Sequence, residues 1–161
     1  MLDCIVYKHN GIPPTTKVVG ILPVRIVNNM TTNIETVDDL DAYLSRHTGT
    51  MNYYRDAFTK LVYTDGIKDL AETVGAYWLI SDIGVVAKMK FRNVPFQIWR
   101  LVVKDDESAV LTMREDTGEP IRYRQKYDMV DFPVGTFEFY IMHGSLDKET
   151  LDLIALLKSE Y

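Results

Sequence analysis

Alternating apolar and polar residues in the second half of the chain are the strongest constraint on its fold. After Pro95, four runs follow this alternation, at residues 96–103, 109–114, 121–128 and 136–142. A period of two is that of a β-strand with one buried face, and short polar connections between successive strands are typical of hairpins. The pattern therefore predicts a four-stranded antiparallel meander.

The region before these runs predicts two amphipathic helices. The first covers residues 37–47 and begins after Thr36, whose side chain is a good helix cap. The second begins at Thr64 or Asp65 and continues through Gly75 as a stripe of apolar residues at helical spacing. Glycine inside a helix costs about 1 kcal/mol relative to alanine. We therefore expect Gly75 to allow close packing against another element.

The last segment of the chain also has helical spacing. Ser145 is placed to cap a third helix, and Leu151, Ile154 and Leu157 form its apolar stripe. Helices packed on one face of an antiparallel sheet make an α+β fold. We therefore predict an α+β fold in which the other face of the meander is exposed to water.

The first section of the chain, residues 1–29, differs in composition from the rest. It is rich in β-branched residues, which favour strands, and it is followed by a polar stretch. A chain of 161 residues has the length of one well-buried core. The sequence thus predicts a β-rich N-terminal extension over residues 1–29 and a single α+β domain over residues 30–161.

Composition and charge argue against several classes of protein. No run is apolar enough to cross a bilayer or to act as a signal peptide, and Cys4 has no second cysteine to pair with. We therefore predict a cytoplasmic protein. The net charge of −5 argues against a dedicated nucleic-acid binder. Because His9, His47 and His143 have no partner at ligand spacing, we expect no metal and no cofactor.

A cluster of polar aromatic and charged residues between positions 48 and 83 is the first candidate binding site. Its members are Tyr53, Tyr54, Arg55, Tyr63, Asp65, Trp78 and Asp82. Tyrosine rings stack on planar ligands, and a guanidinium pairs with anions in a fork. The alternative, which we favour, is an aromatic seam between helix and sheet in which Arg55 pairs with an acid such as Asp65 or Asp82.

Three basic residues on one side of the third predicted strand are the second candidate. Arg122, Arg124 and Lys126 share that side and could contact phosphate or an acidic partner. The alternative is cross-strand pairing with Glu138 and its neighbours on a solvated sheet face, and we favour this alternative.

Several short motifs carry a resemblance to a known family. They are TGTMNYYR at 48–55, YTDG at 63–66, GAYWLI at 75–80, FQIW at 96–99 and DFP at 131–133. With these motifs the chain resembles a bacterial and phage domain of unknown function over roughly residues 36–144. The resemblance implies a small stand-alone protein of bacterial, plasmid or phage genomes, and it supplies no activity, substrate or catalytic residue.

These observations predict a small, soluble, non-catalytic binding protein. We expect it to be encoded by a phage or mobile element and to act on a host protein, for example as an anti-CRISPR inhibitor of host defence. The expected partner is a protein rather than a membrane or a nucleic acid, and homo-oligomerisation is left open. The alternative is a small-ligand-binding protein or enzyme that uses the Tyr/Arg/Asp cluster. It requires these side chains to converge on a concave pocket.

Overall fold

The computed structural model describes residues 34–147 and 149–161, and it contains three α-helices and seven β-strands in this part of the chain. The helices are α1 (Val37–Leu44), α2 (Asp65–Val74) and α3 (Tyr77–Lys90). The strands are β1 (Tyr53–Arg55), β2 (Val62–Thr64), β3 (Phe96–Val103), β4 (Ala109–Arg114), β5 (Tyr123–Tyr127), β6 (Gly135–Gly144) and β7 (Asp152–Leu157). The predicted α+β class is confirmed, whereas the predicted N-terminal extension over residues 1–29 lies outside the described residues.

The seven strands form one mixed sheet in the order β1-β2-β7-β6-β3-β4-β5. All neighbours are antiparallel except β2 and β7, which are parallel. The predicted meander is not confirmed, because β6 pairs with β3 and not with β5. The connection from β5 to β6 passes the β3–β4 hairpin, where the Val130 amide donates to the Glu107 carbonyl at 2.9 Å. The side chains of Val130 and Phe132 are buried there, and they hold this crossover against the core.

The predicted third helix is wrong: residues 152–157 form β7, and only residues 158–160 make one short 3₁₀ turn. All six residues of β7 are buried, because the strand lies between β2 and β6. A strand that is buried on both faces is a continuous apolar run, and in a short segment such a run has no period that separates it from a helix.

The predicted second helix is divided into α2 and α3 at Gly75. This residue has φ of 69°, the left-handed conformation that glycine adopts without steric cost, and it caps α2. The Ala76 amide donates back to the Ala71 carbonyl at 3.0 Å, and α3 then starts in a new direction. The interpretation of Gly75 as a mid-helix packing residue is therefore wrong.

The three helices cover one face of the sheet. Side chains from this face, such as those of Trp99, Leu111 and Ile141, form one buried cluster with the apolar sides of the helices. The first helix begins as predicted: the Thr36 hydroxyl accepts from the Asp39 amide at 3.3 Å, and the Asp39 carboxylate accepts from the Thr36 amide at 3.1 Å. The core therefore holds α2 and α3 against the sheet, and the features described next lie on these helices and the strands beside them.

Candidate functional site

The carboxylate of Asp65 is the centre of the first half of the predicted cluster. Asp65 begins α2, and its oxygens accept from the backbone amides of Met51 at 2.8 Å and Asn52 at 2.9 Å. The Tyr54 hydroxyl donates to the same carboxylate at 2.9 Å. These hydrogen bonds, the backbone ones first, hold the pKa of Asp65 far below its ordinary value. The carboxylate therefore fastens the preceding turn to the start of the helix.

The tyrosines next to Asp65 form a packed seam. The rings of Tyr54 and Tyr63 stack with centroids 5.7 Å apart, and the Lys68 ammonium lies 5.3 Å from the centre of the Tyr54 ring. The hydrogen bond to Asp65 is the main reason that the pKa of the Tyr54 hydroxyl is raised. Tyr53 alternates to the other face of β1 and is exposed. Of the rings in the predicted seam, Tyr54 and Tyr63 pack together here, whereas Tyr53 does not join them.

Asp82 and Trp78 lie far along the sheet from this seam. The Asp82 carboxylate accepts from the Tyr127 hydroxyl and, at 3.1 Å, from the Gln125 side-chain amide, both on β5. Trp78 packs edge-on against Tyr127 with ring centroids 5.5 Å apart. Burial and the bond to Asp82 raise the pKa of the Tyr127 hydroxyl. Because β5 and β1 are opposite edges of the sheet, the seven predicted residues do not converge on one pocket.

Arg55 has a partner that the sequence did not indicate. Its guanidinium Nη1 is 2.9 Å from Oδ1 of Asp152, the first residue of β7. The Arg55 side chain is 44% exposed, whereas that of Asp152 is only 10% exposed. Arg55 thus pairs with an acid, as expected, but the acid is Asp152 and not Asp65 or Asp82. The ion pair instead joins β1 to a strand that lies two places away in the sheet.

The three basic residues near β5 do not act as one group. Arg122 precedes the strand and makes an ion pair with Glu115. Arg124 and Lys126 point to the exposed side of β5, opposite Thr112 and Val110 of β4. The structure thus places two adjacent cations on this edge strand.

Glu138, the predicted partner of the basic residues, is paired elsewhere. It lies next to Arg100 in the register of β3 and β6, and the two side chains are 2.7 Å apart. Lys158 lies 3.1 Å from the same carboxylate. Burial opposes ionisation of Glu138, but the hydrogen bonds from Arg100 and Lys158 outweigh it and lower its pKa. The expected cross-strand pairing exists, but with different cations.

Sequence reasoning missed a cleft of about 730 Å³ between the end of α3 and the hairpin of β6 and β7. We call it the α3 cleft. Its lining includes Lys88, Met89, Arg92, His143, Leu151 and Asp152. The only sequence signal was a pair of nearby cations, with Lys88 in the last turn of α3 and Arg92 two residues past its end. The strands that complete the cleft come from residues far along the chain.

The two cations of the α3 cleft have no acceptor among the described residues. Neither the Lys88 ammonium nor the Arg92 guanidinium makes a hydrogen bond or an ion pair there. Partial burial, followed by the nearby charge of Arg55, lowers the pKa of Lys88. The third basic group, His143, donates from Nε2 to the Arg92 carbonyl at 2.9 Å. Within the part of the chain that the structure describes, the cleft therefore presents two cationic groups without an acceptor.

His47 and the residue types that could bind a metal are the remaining features of the sequence prediction. His47 lies 2.8 Å from Asp69 of α2, and Arg46 contacts the same carboxylate at 2.6 Å, so these side chains fasten α1 to α2. In the part of the chain that the structure describes, no group of three or more His, Cys, Asp or Glu side chains could hold a metal ion. Within the same residues, no helix has the length and apolar character that a membrane span requires.

A family model matches residues 38–161, and its description is a family of unknown function, DUF6876. The match covers more than half of the chain, so the chain belongs to this family. The predicted resemblance is confirmed, and the match extends beyond the predicted segment to include β7. A search of curated proteins and a search of solved structures find no match.

Proposed function

We propose that this member of a family of unknown function is a non-catalytic binding protein that engages another protein at the α3 cleft. The observation that carries the proposal is a pair of cations that have no acceptor among the described residues and lie beside large exposed apolar side chains. Met89 is 79% exposed and Leu151 is 66% exposed, and both line the cleft with Arg92. Apolar anchors next to arginine are characteristic of protein interfaces.

A second apolar anchor is held against α3 by the turn between β1 and β2. The Asp56 carboxylate accepts from the Ser81 hydroxyl at 3.0 Å and from the Thr59 amide at 2.7 Å. Thr59 packs on Gly84 so closely that a methyl group there would collide with it. Phe58, at the tip of this fixed turn, is 89% exposed. Because the turn is fixed, its backbone loses little entropy on binding, which favours the use of Phe58 as an anchor.

The alternative of an enzyme is less well supported, because the side chains that it requires do not face a shared pocket. Asp65, Asp82 and Arg55 each make their hydrogen bonds within the fold and lie in three different places. An enzyme needs an acid, a base or a nucleophile that faces a shared pocket. In its most specific form, our proposal has a phage or mobile-element protein of this family acting on a bacterial host protein, such as a defence factor.

The test is affinity capture with the purified chain and a lysate of bacterial host cells. The variant Met89→Asp places a charge at the α3 cleft. The matched control Met129→Asp places it at an equally exposed methionine on the β5–β6 connection, where 74% of the side chain is exposed. We expect a stoichiometric partner with the unmodified chain and with Met129→Asp, and its loss with Met89→Asp. Recovery of no stoichiometric partner, or equal recovery with both variants, contradicts the proposal.

A further inference from the structure

We infer that the α3 cleft recognises a short acidic and apolar segment of its partner, with a carboxylate placed between Lys88 and Arg92. This inference rests on the proposed function and names the chemistry of the partner. Lys88 and Arg92 supply the positive charge, and Met89 and Leu151 supply apolar parts of the lining. A peptide with an aspartate or glutamate among leucine-like side chains matches both features.

The acidic groups near these cations are already engaged. Asp152 lies in the cleft, but its carboxylate is bound by the Arg55 guanidinium at 2.9 Å. Asp56, the other acid that influences Lys88, accepts from Thr59 and Ser81. Since neither acid pairs with Lys88, the cleft stays positive although the whole chain carries a net charge of −5. Charge complementarity therefore favours an acidic partner.

A carboxylate suits this position better than a phosphate. The cleft lies at the end of α3, where helix carbonyls carry partial negative charge, and phosphate sites typically use the amides at a helix start. Two carbonyls just past the last helical residue already accept hydrogen bonds. The Gln97 side chain donates to Phe91 at 3.0 Å, and His143 donates to Arg92 at 2.9 Å. At this end of a helix a single negative charge is opposed less than the double charge of a phosphate.

The experiment is a titration of the full ¹⁵N-labelled chain with three blocked pentapeptides, followed by amide chemical shifts. The probes are Ac-Leu-Glu-Leu-Asp-Leu-NH2, its Gln/Asn counterpart and its Lys/Lys counterpart, and inorganic phosphate is a fourth arm. We expect the acidic peptide to shift amides at residues 88–93 and 151–153 with a dissociation constant of about a millimolar or below. The uncharged and basic peptides should shift these amides at least about tenfold less at equal concentration.

Two double variants show whether the cleft itself is responsible. Lys88→Ala with Arg92→Ala should weaken binding of the acidic peptide about tenfold or more. Arg124→Ala with Lys126→Ala removes the same charge from the exposed edge strand β5 and should leave binding unchanged within about twofold. Both cation pairs are at least partly exposed and lack a hydrogen bond among the described residues, so both variants should fold.

Each other outcome overturns the inference. Equal losses in the two double variants mean attraction by overall charge. Equal shifts with the acidic and uncharged peptides mean that Lys88 and Arg92 do not distinguish a charged peptide from an uncharged one. Phosphate that saturates the same amides more tightly than the acidic peptide shows an oxyanion site instead. If the lysate capture succeeds and depends on Met89 while the acidic peptide fails, the proposed function survives and only the acidic chemistry of the partner is wrong.

Discussion

The charged side chains at the start of α2 and at the end of α3 differ in whether the fold supplies them with hydrogen-bond partners. At the start of α2, the Asp65 carboxylate accepts from backbone amides and from Tyr54, and it makes the local fold depend on its charge. At the end of α3, Lys88 and Arg92 find no acceptor among the described residues. The aromatic and acidic residues that look most reactive in the sequence are thus structural, whereas two ordinary cations are the better candidates for binding.

The largest expected effect comes from removal of the Asp65 carboxylate. Asp65→Ala leaves the amides of Met51 and Asn52 without their acceptor and frees the turn before α2. We expect the greatest loss of stability of any single change proposed here, measured as the urea concentration at half-unfolding. Asp105→Ala removes the same charge from an exposed turn and serves as the control. If the two variants unfold at the same urea concentration, the carboxylate does not fasten the turn.

The same carboxylate predicts a dependence of stability on acid. Its pKa is lower in the folded chain than the value of about 4 expected for an unfolded aspartate. Its contribution is therefore fully present above pH of about 4 and is lost as the pH falls towards the folded-state pKa. We expect the urea midpoints of the unmodified chain and of Asp65→Asn to differ at pH 7 and to approach each other near pH 2. If the two urea midpoints differ by the same amount at every pH, the charge of Asp65 is not the cause of the stabilisation.

Arg55 connects the two regions, so its removal should affect both. Arg55→Ala leaves the nearly buried carboxylate of Asp152 without its cation, which should lower the free energy of unfolding by about 1 kcal/mol. The unpaired Asp152 then competes for Lys88 and should weaken binding of an acidic peptide several-fold. Urea unfolding and peptide titration of the same sample measure both effects. A stability loss with unchanged peptide affinity would separate the ion pair from the cleft.

The smallest effect is expected where the charge has no partner. Lys88→Met keeps most of the apolar stem and removes an ammonium whose pKa burial already lowers. The free energy of unfolding should change by less than about 0.5 kcal/mol, with a slight gain as the expected direction. Thermal and urea unfolding check this value. A loss of more than about 1 kcal/mol would mean that Lys88 serves the fold, and it would end the contrast with Asp65.

The parts of the fold that the sequence predicts well are those with local signals. The strands β3 and β4 occupy the predicted residues because alternation and short polar turns specify a hairpin. The capping box of α1 lies within four residues and is equally readable. The sequence does not predict the strand order. The position of β6 beside β3 depends on how the β5–β6 connection packs against the β3–β4 hairpin.

The errors in the helices have specific physical causes. Gly75 has apolar residues at helical spacing on both sides, and only its positive φ shows that the chain turns there. β7 follows Ser145 and acidic residues that imitate a helix start, and leucine and alanine fit helices well. Its strand conformation is imposed by two neighbours in the sheet, so tertiary context overrides local preference.

The candidate site was the least predictable part for the same reason. The sequence brings Tyr54 and Asp65 together correctly, because they are eleven residues apart and separated by one hairpin. The partner of Arg55 lies 97 residues away, and the walls of the α3 cleft come from three elements. Unpaired charge is a property of the whole fold, and no local pattern reports it.

The central position of β7 has a consequence for how the chain folds during synthesis. Of the seven strands, β7 leaves the ribosome last, yet it is the element that joins β2 to β6. Until it emerges, the hairpin of β1 and β2 has no place in the sheet, and the nascent chain presents two open strand edges. Pairing between such distant segments is intrinsically slow. The yield of folded protein should therefore depend on the translation rate near the codons for β7. It should also depend on chaperones that bind the unpaired strand edges.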